Sequence, residues 1–417
     1  MSGFKMELPN NVRFIIRRLN ESGYSAHVVG GSVRDSLIGR ELGDFDITTN
    51  ALPSETKAAF SDFKTVDTGI KHGTVTVVID SMPYEITTYR VDGDYKDNRH
   101  PDSVTFTSRL EEDLARRDFT VNAMAYDPDR GLIDPFDGRF DAEAKIIRAV
   151  GDPYVRFDED ALRILRGLRF ASVLGFCIEE NTAFAARSLS QRLSSISKER
   201  VYAELKKLLS GKNAHGVISE YQDVLTVALG GFSPSRIPCK ESFDRADYLT
   251  RLCSVFYLNS DDPCNTAEAV LAALKTDKLT RTYTKMVLSA YDACSFDSLN
   301  DTLKALYKYG EETVKGAVSL GALLGRYGER ESELLSSSLV CNIPYKLSDL
   351  AVRGSDLSAL GIYGARVGEA LDLLLLAVID GRVENKKDAL LDYAAKAWNY
   401  ETLADFSNAI TKGKGER

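Results

Sequence analysis

Val28-Val29-Gly30-Gly31-Ser32-Val33-Arg34-Asp35, followed shortly by Asp44-Phe45-Asp46, is the stretch on which the fold turns. The apolar run Ala26 to Val29 reads as a strand ending in two glycines, and Ser32 to Ile38 reads as the start of a helix. Phe45 to Thr48 reads as the next strand. Asp44 and Asp46, two residues apart on an extended segment, point to one face. Two carboxylates beside a glycine-lined anion cradle suit paired-metal phosphoryl or nucleotidyl transfer. A P-loop would need Gly-x-x-x-x-Gly-Lys-Ser/Thr, and no such run occurs. Gly-Gly alone is a common turn, and Asp-x-Asp alone is commonly a solvated strand end. The order of the parts carries the reading.

The chain has 417 residues, more than one core accommodates, so two to four domains are expected. The hydrophobic fraction of 44% and charged fraction of 27% are those of a globular chain, and Leu371 to Ile379 is far too short to span a bilayer. The start Met1-Ser2-Gly3-Phe4-Lys5 has no apolar signal core, which predicts a cytoplasmic protein. Six cysteines without a Cys-x-x-Cys pair predict reduced thiols rather than a disulfide frame or zinc site. None of the four histidines precedes an Asp, which excludes a His-Asp phosphohydrolase module. A net charge of -8 argues against non-specific coating of nucleic acid and leaves room for a local basic track.

Up to about residue 140, strand and helix signals mix. Asn11 to Leu19 and Pro53 to Phe60 read as helices. Thr74 to Asp80 and Tyr84 to Arg90 read as strands joined by a turn at Ser81-Met82-Pro83, and Val91 to Ser103 as a polar, mobile loop. Beyond that point helical periodicity dominates: Asp158 to Leu174, Ala183 to Leu193, Lys198 to Leu209, Thr266 to Lys275, Arg281 to Tyr291 and Val367 to Ile379. The expected fold is an α+β head, a mixed sheet with flanking helices, followed by an all-α remainder.

Three further clusters carry chemistry. Glu85 in Tyr84-Glu85-Ile86-Thr87-Thr88-Tyr89-Arg90 shares a strand face with Thr87, away from Tyr84 and Ile86. It is either a solvent-facing Glu or a third active-site carboxylate beside the two aspartates. In Glu112-Asp113-Leu114-Ala115-Arg116-Arg117-Asp118-Phe119-Thr120-Val121-Asn122, arginine forks suit phosphate and Asn suits a sugar hydroxyl. An amphipathic helix with an Asp113–Arg116 pair is equally consistent with the charges. In Arg156-Phe157-Asp158-Glu159-Asp160-Ala161-Leu162-Arg163-Ile164-Leu165-Arg166-Gly167-Leu168-Arg169-Phe170, Asp160 and Arg163 lie one helical turn apart. They could offer an acceptor and a donor to a nucleobase edge, or form a solvated intrahelical pair.

Together these runs resemble the class II tRNA nucleotidyltransferase family, the CCA-adding enzymes, with their bacterial poly(A) polymerase relatives. GGSVRD with DFD, YEITTYR, EEDLARRDFTVNA and RFDEDALRILRGLRF recur in the family's order across roughly residues 26 to 176. ISKERVYAELKKLL and DLAVRGSDLSALGIYGARVGEAL extend the likeness over nearly the whole chain. The resemblance implies a catalytic head (1–140), a helical neck (141–210), a body (211–325) and a tRNA-binding tail (326–417). It implies template-independent addition of C, C and A from CTP and ATP to a tRNA 3′ end, with no obligate protein partner.

By motif matching, Asp44 and Asp46 would hold two Mg2+ ions, with Glu85 nearby. Gly30, Gly31 and Arg34 would meet the triphosphate, helped by Arg116, Arg117, Asp118 and Asn122. Asp160 and Arg163 would read the base, supported by Arg166 and Arg169. A poly(A) polymerase, a partial CC- or A-adding enzyme and a catalytically silent tRNA-binding relative are the alternatives. Gly69-Ile70-Lys71-His72-Gly73-Thr74 takes the CCA-like form, and the retained loop after Glu85 favours full CCA addition.

Overall fold

The computed structural model describes residues 4–67, 69–93 and 104–398. The chain divides into two compact units, Met1–Asp244 with Ala269–Thr276 and Arg245–Glu268 with Asp277–Arg417. Every named strand lies in the first unit. The second is built on helices, among them Tyr248–Leu258, Lys278–Ala293, Glu311–Leu323 and Ala365–Ile379.

The first unit opens with α1 (Asn10–Glu21), β1 (Ala26–Val29), α2 (Gly31–Leu37), β2 (Asp46–Thr49) and α3 (Pro53–Ala59). Then come β3 (Lys64–Val66), β4 (Thr74–Ile79), β5 (Met82–Thr88), the short pair β6 (Arg90–Asp92) and β7 (Val104–Phe106), and α4 (Leu110–Ala115). β8 (Ala125–Asp127), β9 (Gly131–Ile133), α5 (Gly138–Ala144) and β10 (Ile146–Ile147) follow. The helical stretch behind them holds α6 (Pro153–Glu159), α7 (Leu162–Leu174), β11 (Cys177–Ile178), α8 (Glu180–Ser188) and α9 (Lys198–Leu209).

Seven strands form one mixed sheet in the order β3-β4-β5-β2-β1-β8-β9. β2 and β5 run parallel with Ile47 opposite Ile86, and the other ladders of this sheet are antiparallel. The two-residue side-chain period gives the sheet two distinct faces. Val28, Ile47, Val75, Val77 and Ile86 enter a core with Ile15, Ile16 and Leu19 of α1 and with Phe60. Each such side chain, fully buried, contributes about 1.5–3 kcal/mol. Val29 points the other way, into a smaller cluster with Tyr89, Leu110, Leu114, Ala123 and Ala125. Being offset by one from Ile47 and Ile86, Asp46, Thr48, Glu85 and Thr87 lie on this second face. The Thr48 hydroxyl there donates to Asp113 Oδ2 at 3.4 Å.

Several expected boundaries move, for local reasons. β2 begins at Asp46, so Asp44 precedes the strand and the strand pleat does not orient it. The β4–β5 turn is Asp80-Ser81, both at positive φ (51° and 65°), and Pro83 sits inside β5 opposite Val78. The polar segment 91–103 starts as strand at Val91 and Asp92, and its residues 94–103 lie outside the described residues. The helix read as Asp158 to Leu174 is two helices. Asp160 is extended (φ -142°, ψ 102°), and its Oδ1 accepts from Leu162 N at 3.0 Å at the start of α7. An Asp is a better first-turn cap than a helix interior residue, and here that preference overrides the apolar period. Ala183 to Leu193 likewise splits into α8 and a 3₁₀ turn at Ser190–Ser195.

Candidate active site

The first glycine of the opening motif is fixed by backbone geometry. Gly30 ends β1 at φ 75°, ψ -130°, and its N–H donates to Met124 O at 3.1 Å. A Cβ there would stand 2.9 Å from Arg117 Nη1, so glycine lets that guanidinium lie against the backbone.

Around this turn opens a cavity of about 520 Å³, lined by Gly30, Gly31, Arg34, Asp46, Arg90, Arg116, Arg117, Asp118, Asn122, Asp160, Leu162, Arg163, Arg166, Arg169, Phe170 and Arg200. Eight of these residues are arginine and three are aspartate. In a chain of net charge -8, that concentration of guanidinium groups marks a site for a polyanion. Among the described residues, Arg117 Nε and Arg200 Nη1 are buried donors with no hydrogen-bond acceptor. A buried donor left unpaired is costly, and a phosphate or base oxygen would satisfy it.

All the residues singled out from the sequence line the cavity except Asp44 and Glu85. Asp46 is an exposed residue, yet partial desolvation at the cavity pushes its carboxyl pKa up. Arg117 opposes that rise, and the Asp44 charge adds to it. Glu85 is exposed and lies one register step from the Ile47–Ile86 pair, level with Asp46 on the same face. Among the described residues, no set of three His, Cys, Asp or Glu side chains is gathered closely enough to hold a metal ion. Asp44 precedes β2, and Glu85 stands level with Asp46 in the register without completing such a set with the two aspartates. Asp44 and Asp46 nevertheless fit a divalent cation: oxygen donors in mutual electrostatic reach, neither engaged in a side-chain hydrogen bond or ion pair among the described residues.

The remaining polar residues form a continuous network. Arg34, 7% exposed, donates from Nη1 to Asn122 Oδ1 at 2.5 Å and also pairs with Asp35. Asn122 Nδ2 donates to Asp118 Oδ1 at 3.1 Å, and Asp118 Oδ2 takes Arg166 Nε at 2.8 Å and Nη2 at 2.6 Å. Burial alone would raise the Asp118 pKa. Arg166, the Asn122 hydrogen bond and Arg163 overcome it and hold the carboxyl at about 2. Asn122 thus uses its amide to bridge Arg34 to Asp118. Burial pushes the Arg117 pKa down while Asp113 and Asp46 pull it back. The Arg116–Asp113 pair does form, at 2.8 Å, on the short α4 and its C-cap.

Asp160 and Arg163 do not form a surface salt bridge with each other. Asp160 Oδ2 accepts from Arg200 Nη2 of α9 at 2.7 Å. Arg163, 8% exposed, donates to Glu159 Oε2 at 2.5 Å and to the carbonyls of Arg156 and Arg116 at 3.1 Å each. Both residues reach the cavity wall, held by different partners. Arg90, Leu162, Phe170 and Arg200 are the lining residues that the sequence did not point to. Arg200 carries no local signal, since its acidic partner lies 40 residues away.

Comparison with known proteins agrees with this geometry. Residues 26–148 match the poly A polymerase head domain, and 175–222 match a probable RNA- and SrmB-binding site of polymerase A. Residues 252–394 match a putative tRNA nucleotidyltransferase domain 2. The chain is 38% identical to a CCA-adding enzyme of Pediococcus pentosaceus, covering 93% of this chain and 97% of that one. It is 38% identical to one of Enterococcus faecalis, covering 92% and 94%. The fold matches the crystal structure of the Bacillus stearothermophilus CCA-adding enzyme in complex with CTP at a TM-score of 0.78 and 32% identity, covering 94% and 98%. A mixed-sheet head, an arginine-lined cavity and full-length relatives agree: this chain belongs to the CCA-adding enzymes of the tRNA nucleotidyltransferase family.

Proposed function

We infer that the chain adds C, C and A from CTP and ATP to the 3′ end of tRNA by nucleotidyl transfer with release of pyrophosphate, using Mg2+ as its divalent ion. The observation that carries this reading is the cavity beside the Gly30 turn, whose eight arginines outnumber its three aspartates. A triphosphate supplies the matching charge; of the three aspartates, Asp46 marks a metal edge, Asp160 a base edge, and Asp118 is paired with Arg166.

In this reading Asp44 and Asp46 hold the metal, with Glu85 beside them. Mg2+ bound there would make the ribose 3′-hydroxyl a better nucleophile and offset charge on the triphosphate. Arg34, Arg116 and Arg117 bind phosphate oxygens next to the Gly30-Gly31 backbone. Asp118 and Asn122 act one step back, orienting Arg166 and Arg34. Asp160 accepts from the amino group that cytosine and adenine share, and Arg163 donates to the adjacent ring nitrogen. Uracil and guanine place a carbonyl opposite Asp160 and leave a carboxylate unpaired, which favours CTP and ATP. A cytoplasmic location, where tRNA is matured, and a head, neck, body and tail divided near residues 140, 210 and 325 complete the proposal.

The test is incubation with tRNA lacking its 3′ CCA, given CTP, ATP or both, followed by sequencing of the products. CC with CTP alone and CCA with both nucleotides are expected. A homopolymeric A tail, addition of C alone or A alone, or no addition at all would replace the reading with a poly(A) polymerase, a partial enzyme or a silent relative.

A further inference from the structure

Phe170 is 8% exposed and lines the cavity. Three guanidinium groups approach its ring: Arg169 at 3.9 Å from the centroid, Arg34 at 5.2 Å and Arg166 at 5.5 Å. Phe119 backs the same ring edge-on, with centroids 5.8 Å apart and planes at 80°. Gly167 keeps that approach open, since a Cβ on it would stand 3.0 Å from Phe119 Cζ. Each arginine has its close carboxylate elsewhere: Asp35 for Arg34, Asp118 for Arg166 and Glu204 for Arg169. Among the described residues no one acid pairs with all three, whereas the ring is common to them. A π face attracts each cation without adding a charge that would compete with an incoming anion.

We propose that Phe170 is a positioning residue that holds Arg34, Arg166 and Arg169 at set separations along the wall where the nucleoside triphosphate binds, an assignment that rests on the cavity being the nucleotide site. Without the ring each guanidinium keeps its own carboxylate but loses the face common to all three, so their mutual spacing is less fixed and binding must first reorder them. That ordering cost falls equally on the ground state and the transition state, so it appears in KM and leaves kcat nearly unchanged.

The experiment compares Phe170→Leu, Phe170→Met and Phe170→Tyr with wild type, using CTP on tRNA lacking CCA and ATP on tRNA ending in CC. Phe170→Leu and Phe170→Met are expected to raise KM for both nucleotides about three- to tenfold, the scale of one partly buried cation–π contact. Their kcat and their KM for tRNA should stay within about twofold, and Phe170→Tyr, which keeps the ring, should restore nucleotide KM. The Met variant answers the question if the Leu variant does not fold, and circular dichroism melts establish folding for each. Wild-type nucleotide KM in a folded ringless variant, or equal losses in the Tyr and ringless variants, overturns the proposal. Arg34→Ala separates the two layers. If it raises nucleotide KM while the ringless variants do not, the ring assignment falls and the cavity reading stands; if it leaves KM unchanged, the cavity reading itself falls.

Discussion

The carboxylate of Asp160 is tied to Arg200 at 2.7 Å, so the acid at the start of α7, to which we assign the base edge, is aimed by a residue of α9. With one oxygen on Arg200 and the other on the Leu162 N–H, the side chain is held in one orientation before any nucleotide arrives. An acceptor fixed in this way discriminates by geometry as well as by charge.

Base selection follows directly. Asp160→Ala should relax discrimination of CTP and ATP against UTP and GTP by about 1–3 kcal/mol, roughly 5- to 150-fold. Arg200→Ala should relax it in the same direction and by less, because Asp160 remains present but is no longer aimed. Four-nucleotide competition on a single tRNA substrate measures both. Selectivity equal to wild type in Asp160→Ala would return the residue to a purely capping role.

Asp44→Ala and Asp46→Ala are each expected to reduce nucleotide addition to below a few percent while leaving the unfolding transition nearly unchanged. Both side chains are exposed and neither supports the apolar core, so their loss should not register in stability. Substantial turnover retained by either variant in Mg2+ would remove it from the metal site.

Asp118 predicts an acid-dependent contribution to stability. Its pKa in the fold is about 2 against 3.8 for the free side chain, so its ionised form stabilises the native state above about pH 4. That contribution, roughly 2 kcal/mol, is lost as pH falls from about 4 towards 2. In denaturant titrations, the stability gap between wild type and Asp118→Asn should be full at pH 6 and shrink across that window. A gap independent of pH would mean that the Arg166 pair does not depress the carboxyl.

Gly30→Ala should cost about 1–3 kcal/mol from its positive φ alone. The added methyl also meets Arg117 Nη1 at 2.9 Å, which should displace that guanidinium and raise nucleotide KM. Chemical denaturation reports the first effect and initial-rate kinetics the second. A variant with wild-type KM would place Arg117 outside the phosphate contacts.

The elements whose signals are local were legible in the amino-acid sequence. The apolar run of β1, the Gly-Gly turn, the alternating strands β4 and β5 and the amphipathic α1 follow from side-chain period and backbone preference within a few residues. The motifs likewise named most of the cavity's lining, from Gly30 to Arg169. Local reading failed where two local rules competed: at Asp160 capping defeated helical period, and at Asp80-Ser81 the turn came earlier than Pro83 suggested. Partnership was decided only by the tertiary structure. Asn122 joins Arg34 to Asp118, Asp160 turns to Arg200 rather than to Arg163, and Phe170 collects guanidinium groups from α2 and α7. Electrostatic and aromatic contacts depend on distance in space. Residues 40 to 136 positions apart meet at this cavity only because the sheet register and the packing of α7 and α9 bring their backbones together.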